Sequence, residues 1–384
     1  MSLILSANIV FLPEFVNFVR NKLITTMKRF FVAVICLLIA AAAFGQGKVW
    51  TEASDLTIIG KMFPDTPNPY HRIDTVKYKG FTTGENAQVR MSSGLAVCFV
   101  TNSPYIYVKT DYANPNNNVN ITGISSRGYD LYIKKDGNWL WAGSGAPKMT
   151  QLDAEVRIIH NMEEVEHECL MYLPTFSEEN SILIGIKEGS VIRPAPAPFR
   201  HKVGLFGSSY MHGASTSRGG MAVPAQLTRM TGIQILSIAC SGNSKLQPYY
   251  ADALRDADVE AYIFDSFSNP DAQMIEERLF PYIERIREKK PDTPIIFISS
   301  IWRERNNFDQ GSYKSEMAKM HMADSLMKIA CKKYNDVYFV KSDASTPGHN
   351  HQVDGVHPDD YSYEVWAKSI RKPIVRILRK YGIK

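Results

Sequence analysis

Four clusters in the second half of the chain carry side chains suited to nucleophilic chemistry. Gly207-Ser208-Ser209-Tyr210 follows an apolar run at 203–206 and leads into Met211-His212-Gly213. A serine at a strand end and a helix start lies beside free backbone amides, which favour negative charge there. Ser241-Gly242-Asn243 follows the apolar run 233–238, and Ser266-Phe267-Ser268-Asn269-Pro270 follows the run 261–264. Gly242 lets a backbone amide come close to a ligand, and the Asn269 side chain adds an amide donor, so both are candidates to hydrogen-bond an oxyanion. Near the C-terminus, Asp354 precedes His357 by three residues in Val353-Asp354-Gly355-Val356-His357-Pro358. The carboxylate can orient the imidazole and stabilise its protonated form while the other ring nitrogen takes a hydroxyl proton. The chemistry implied is attack of Ser209 on an acyl carbon, with His357 as base and Asp354 behind it. Singly, each residue has an ordinary reading: Ser208 or Ser209 as a helix cap, Gly242 and Asn269 as turn formers. Their weight lies in arriving in order at successive strand ends.

Such an order needs strands that share an edge. The runs 203–206, 233–238, 261–264, 295–298 and 337–340 are apolar and separated by longer amphipathic stretches, which predicts strands alternating with helices in a parallel sheet. An open sheet of this kind binds ligands at the carboxyl ends of its strands. Between the last two runs, Met317, Met320, Ala323, Met327, Ala330 and Cys331 recur at helical spacing and predict a stripe packed into the core. Residues 50–193 follow another grammar, with short β-rich runs at 96–101, 105–109, 130–134 and 181–187 between Gly, Asn and Pro clusters. That predicts a β-sandwich of about 140 residues. The stretch Arg193-Pro194-Ala195-Pro196-Ala197-Pro198 is expected to continue neither sheet nor helix and to act as a linker, because proline lacks an amide donor and restrains the residue before it. The expected plan is residues 46–195 as the all-β domain and 196–384 as the α/β domain.

A chain of 384 residues is long enough for two folded units after a leader. Lys28-Arg29 precede an apolar run at 30–43 that is short for a membrane span, and Ala43 and Gly45 stand before a plausible cut near Gln46. This is the pattern of a signal peptide: residues 1–45 are expected to be leader, Met27 the natural start, and the mature protein periplasmic or secreted, with no stable membrane insertion. Setting aside residues 1–45, with four basic and one acidic residue, lowers the formal charge from +5 to +2. No nucleic acid or other polyanion is implied as partner. Cys98, Cys169, Cys240 and Cys331 are scattered without the paired spacing of a zinc site, so neither metal nor other cofactor is expected. A metal alternative would gather His349, His351 and His357 with Asp354, although the Gly-Asn-rich loop around the first two reads as solvated.

The second half resembles the SGNH, or GDSL-like, hydrolase superfamily, whose four blocks present Ser, Gly, Asn and His in that order. Here they are Ser209, Gly242, Asn269 and His357, over roughly residues 200–384. The resemblance implies a flavodoxin-like three-layer α/β fold and carboxylic ester hydrolysis without a cofactor. It also assigns Ser209 as nucleophile, the Ser209 and Gly242 amides with the Asn269 side chain as oxyanion hole, and Asp354 and His357 as the rest of a triad. In the first half, Gly128-Tyr129-Asp130-Leu131-Tyr132 matches the Gly-x-Asp-Leu-Tyr signature of a domain, expected to be jelly-roll-like, that precedes such hydrolases in exported, often Bacteroidetes-like, bacterial proteins. Two positions depart from the pattern. Ser208 stands where the family usually has an aspartate, a local hydrogen-bonder, and Phe267 where the third block often has glycine, which bears on pocket shape. Family and export together imply an acylated small molecule or oligosaccharide as substrate, acetyl or another short acyl group as the part removed, and Tyr210, His212 and Trp302 as candidate contacts. A reading of a different class is a glycan-binding surface protein on an inactive hydrolase scaffold; the intact Ser, Gly, Asn, Asp and His set argues against it.

Overall fold

The apolar runs pair into three sheets in a computed structural model that describes residues 17–18, 20, 22–28, 30, 47–342 and 347–384. Apart from Phe30, the leader's apolar run and the cut expected near Gln46 lie outside the described residues. The described residues between 17 and 30 are helical. Among the described residues, no helix is long and apolar enough to cross a membrane. Residues 49–384 cluster as one unit, which the rest of this description concerns.

Its first part carries β1 (Lys48–Glu52), β2 (Thr57–Ile59), β3 (Ala96–Thr101), β4 (Ile106–Asn114), β5 (Tyr129–Lys135), β6 (Asn138–Gly145), β7 (Val156–Ile159), β8 (His167–Tyr172), β9 (Glu178–Lys187) and β10 (Ile192–Pro194), with two short helices, α1 (Thr83–Arg90) and α2 (Gly123–Arg127). One sheet has the order β1-β9-β4-β7 and the other β10-β3-β8-β5-β6, with β2 also paired to β3. Alternation along the strands turns Val97 and Phe99 of β3, Ile106 and Val108 of β4, and Ile182 and Ile184 of β9 into one apolar cluster shared by both sheets. The expected linker begins differently from its prediction. Ile192–Pro194 is an antiparallel strand, with Ile192 opposite Thr101 and Pro194 opposite Phe99. Proline fits there because an edge strand can turn its donorless nitrogen away from the ladder.

The second part alternates β11 (Arg200–Gly207), α3 (Ser209–His212), α4 (Val223–Thr231), β12 (Ile233–Ser237), α5 (Pro248–Leu254), β13 (Ala261–Asp265), α6 (Ala272–Arg287), β14 (Ile295–Ile298), α7 (Gln310–Lys333), β15 (Val337–Val340) and α8 (Asp360–Arg379). The strand order is β12-β11-β13-β14-β15, all parallel, which is the doubly wound order 2-1-3-4-5. Successive residues face opposite layers. Leu205 and Ile263 join Leu227 of α4 and Trp366 and Ile370 of α8, while Phe206 and Phe264 join Tyr250 of α5, Leu279 of α6 and Met327 of α7. The α7 stripe includes buried Ala323, Met327 and Ala330, but Cys331 is exposed, one residue and about 100° round the helix from Ala330. Cys98, Cys169, Cys240 and Cys331 are all free thiols.

The two parts are joined by packing. Met62, Phe63, Ile73, Tyr78, Phe81 and Val89, between β2 and β3, belong to the core of the parallel sheet. Burial of an apolar side chain of this size is worth roughly 1.5–3 kcal/mol. Arg72, fully buried, donates to Gln88 O (2.6 Å) and Met91 O (2.6 Å) on one side and to Ala239 O (2.9 Å) on the other. Asp130 of the Gly-x-Asp-Leu-Tyr motif accepts from Trp141 Nε1 (3.0 Å), Arg218 Nη1 (3.0 Å) and the Gly220 amide (2.8 Å). The motif's aspartate therefore clamps the segment that enters α4. Asp130→Ala leaves the half-buried Arg218 and the buried Gly220 amide, besides the exposed Trp141, without their acceptor and is expected to cost roughly 3–5 kcal/mol. The check is a fall in the urea midpoint at little-changed slope; an unmoved midpoint would contradict this account of the motif.

Candidate active site

β11 lies between β12 and β13, so the loops that leave these three strands meet around its carboxyl end. Chain direction reverses sharply there. A Cβ at Gly207 would stand 2.6 Å from Met211 Cγ, so only glycine lets α3 fold back over the strand end. Ser208 caps α3, its hydroxyl oxygen accepting from the Tyr210 amide (3.2 Å), and Ser209 opens the helix. The carboxylate missing at 208 is supplied from the next strand. Asp265, the last residue of β13, accepts the Ser208 amide (3.1 Å) and hydroxyl (2.5 Å) on Oδ2 and the Ser268 hydroxyl on Oδ1. Burial raises the Asp265 pKa above the usual carboxylate value, against the pull of those hydroxyls and of Arg303.

His357 reaches this edge from the loop before α8. Its Nε2 is 2.9 Å from Ser209 Oγ and its Nδ1 is 2.8 Å from Asp354 Oδ2. An ionised carboxylate only accepts, so Nδ1 carries the proton and Nε2 is left to accept from the serine hydroxyl. The three-residue spacing has a local reason: Asp354 Oδ1 also accepts the Val356 (3.0 Å) and His357 (2.8 Å) amides, closing the turn that aims the ring. Burial pushes the Asp354 carboxyl up, but the His357 ring and amide, with a further donor from Asn120, outweigh it and hold the group well below the usual carboxylate range. It stays ionised wherever an imidazole titrates. Ser209 is 6% exposed and the His357 side chain 18%, so the line is recessed but open to solvent at one end. Asn120, whose Nδ2 donates to Asp354 Oδ2 at 2.9 Å, comes from the β-rich part and was invisible to sequence reasoning.

Gly242 lies in the turn closed by Asn243 N to Cys240 O (3.0 Å), at φ +73, and a Cβ there would meet nothing within 4 Å. Asn269 accepts the Ser244 amide on Oδ1 (3.1 Å), which leaves its Nδ2 as the donor to spare. Two expected substrate contacts are buried instead. His212 is 0% exposed, stacks on Phe176 at 4.1 Å and accepts the Ser241 amide on Nδ1 (3.2 Å), so it props the Gly242 loop from behind. Burial, with the Arg72 charge nearby, pushes its pKa well below the ordinary imidazole range. Tyr210 is buried edge-on to the His357 ring (5.7 Å), with its hydroxyl accepting from Arg303 Nε (3.0 Å) and its own pKa pushed up to about 12 by burial. It backs the imidazole. Trp302 is half-exposed, its carbonyl held by Gln352 Nε2 (2.8 Å) in the loop before Asp354. His349 pairs with Glu304 and His351 with Asp359, so the three loop histidines address three different carboxylates.

A doubly wound parallel sheet whose carboxyl edge gathers serine, glycine, asparagine and an Asp-His pair has the architecture of SGNH-type hydrolases. Residues 48–192 match the GxDLY family, the N-terminus of SGNH-hydrolase-type esterases, and residues 200–375 match the GDSL-like lipase/acylhydrolase family. A solved structure from Bacteroides ovatus, described as a GDSL-like lipase, is 35% identical, with a TM-score of 0.83 over 87% of this chain and 98% of that one. A salicylyl-acyltransferase from a tetracycline biosynthetic pathway (18% identity, TM-score 0.67, 88% and 99% covered) shares the fold. So does a family two carbohydrate esterase from Cellvibrio japonicus (12%, 0.56, 87% and 98%). No curated protein matches. The chain belongs to the GDSL-like lipase/acylhydrolase family and is an esterase that acts on carboxylic esters.

Ser208→Asp would set a second carboxylate against Asp265 in a buried place, where two like charges displace each other. Displacing the neighbouring Ser209 is expected to lower kcat/KM about 100-fold or more. The double variant Ser208→Asp/Asp265→Ser, which exchanges the two groups, should recover most of that loss on a short ester. Wild-type activity in the single variant would contradict the role given to Asp265.

Proposed function

We propose that this esterase is exported and removes acetyl or other short acyl groups from carbohydrates through a Ser209, His357 and Asp354 triad. The observation that carries the reading is the continuous line from Ser209 Oγ to His357 Nε2 (2.9 Å) and from His357 Nδ1 to Asp354 (2.8 Å). His357 takes the hydroxyl proton as Ser209 attacks the acyl carbon, then returns it to the leaving alcohol; water, activated the same way, frees the acyl group. Charge on the carbonyl oxygen is met by the Ser209 and Gly242 amides and Asn269 Nδ2. The free donor of Asn269 and the open space over Gly242 support that assignment. Support for a sugar as the alcohol part comes from the fold shared with the family two carbohydrate esterase of Cellvibrio japonicus. In the same reading, residues 46–195 are a jelly-roll-like β-sandwich domain and 196–384 a flavodoxin-like three-layer domain; the core shared by the two antiparallel sheets supports the sandwich.

Ser209→Ala should fold as the wild type and lose acetyl-ester hydrolysis by roughly 10⁴-fold or more. Asn269→Ala should lose ~10²–10³ in kcat. A serine-directed phosphonate is expected to label the wild type one to one and leave Ser209→Ala unlabelled, which separates an enzyme from a glycan-binding scaffold. Undiminished hydrolysis by Ser209→Ala would reject the triad. A preference for long-chain nitrophenyl esters over acetylated saccharides would reject the substrate.

A further inference from the structure

We infer that Asn120 of the β-rich part is a positioning residue for catalysis, fixing the Asp354 carboxylate and through it the His357 ring. The inference rests on the triad reading and goes beyond it by making the first half of the chain part of the reacting line. An ionised carboxylate has about four acceptor sites. Asp354 fills them with the Val356 and His357 amides on Oδ1 and with His357 Nδ1 and Asn120 Nδ2 on Oδ2. Three of these donors belong to the carboxylate's own turn and move with it. Of these four donors Asn120 is the one from outside the turn, and it bonds the very oxygen that holds the imidazole.

The residue is held rather than draped. Before it, Asn116 accepts the Ser126 hydroxyl on its carbonyl (2.6 Å) and donates its amide to Ser177 Oγ (3.3 Å), which anchors the loop to the β-rich part. Directly after it, Ile121 is buried in a cluster with Met91, Phe176 and Ala214. Thr122 then caps α2 by accepting the Ser125 amide (3.0 Å) and donates its hydroxyl to Ser217 O (2.5 Å). Ser217 in turn donates its amide to Asp360 Oδ1 (2.8 Å) and its hydroxyl to Oδ2. Asp360 opens α8 three residues after His357. The loop is thus braced against Asp354 itself and, through Thr122 and Ser217, against Asp360 on the C-terminal side of the turn. Without it, one acceptor site of Oδ2 would pair with water, and the carboxylate would be held by its own turn alone.

Full-length wild type, Asn120→Ala, Asn120→Asp and Ser209→Ala are compared on p-nitrophenyl acetate for kcat, KM and the pH dependence of kcat/KM. Asn120→Ala should lower kcat about tenfold with KM within about twofold, the loss expected for one hydrogen bond to a charged group. Its acid limb should move to higher pH, because an unshared carboxylate holds the His357 proton more tightly. Asn120→Asp keeps the shape but sets a second carboxylate against Asp354; its kcat loss and its upward shift should both be larger. Wild-type kcat and pH profile in both Asn120 variants would overturn the inference. So would a rise in KM with kcat and acid limb unmoved, which would make Asn120 a substrate contact. Inactive Ser209→Ala beside fully active Asn120 variants defeats this inference alone; active Ser209→Ala defeats the triad reading itself.

Discussion

Asp354 has to meet two demands that usually conflict. It must be withdrawn enough from water to hold an imidazole in one orientation, yet remain charged there, and burial alone would push it towards the neutral acid. The conflict is resolved by hydrogen bonds: two backbone amides of its own turn, the His357 ring and the Asn120 amide occupy the oxygens. With the charge kept, Nδ1 must be the protonated nitrogen, and Nε2 faces Ser209 as an acceptor. The tautomer, the ring plane and the state of the serine hydroxyl all follow from that one carboxylate.

The rest of the fold can be understood as what delivers these groups to a common edge. A parallel sheet sends every strand's carboxyl end the same way, and placing β11 between β12 and β13 brings the loops bearing Ser209, Gly242 and Asn269 together. Buried polar contacts then lock the loops to one another. Cys240 N donates to Gly207 O (2.9 Å), Ser244 Oγ to Asp265 O (3.0 Å), and the Ser208 amide and hydroxyl to Asp265. The β-rich part braces the same edge: Gln88 of α1 donates to Ser241 O (3.0 Å) beside Gly242, Ser93 donates to His212 O (2.7 Å), and Asn120 donates to Asp354. Apolar packing of residues 62–89 on the parallel sheet and the Arg72 and Asp130 contacts keep those braces in register.

What could be read from the sequence follows from which interactions are local. The five strands of the parallel sheet coincide with the apolar runs, because strands covered on both faces are apolar throughout. The Asp354–His357 spacing was legible because the turn it builds is closed within four residues. Residues brought to the edge only by tertiary contacts were not. Asn120 sits among five asparagines between 114 and 120, 234 positions before its partner, and nothing in its neighbours marks it out. Asp265 falls just past the apolar run 261–264, and its service to Ser208 depends on β11 and β13 pairing at Gly207 and Asp265. Tyr210 and His212 misled for the opposite reason: their types suit ligand contact, but α3 is a single turn laid against the core, so both rings point inward. Pro194 misled because the rule against proline in sheets does not extend to edges.

The account turns on a proton held between His357 Nδ1 and Asp354, and that proton can be observed by NMR. The free enzyme should show an imidazole N–H resonance shifted far downfield, present in the wild type, retained in Ser209→Ala and lost in Asp354→Asn and His357→Ala. A spectrum without that resonance, or one that Asp354→Asn leaves unchanged, would contradict it.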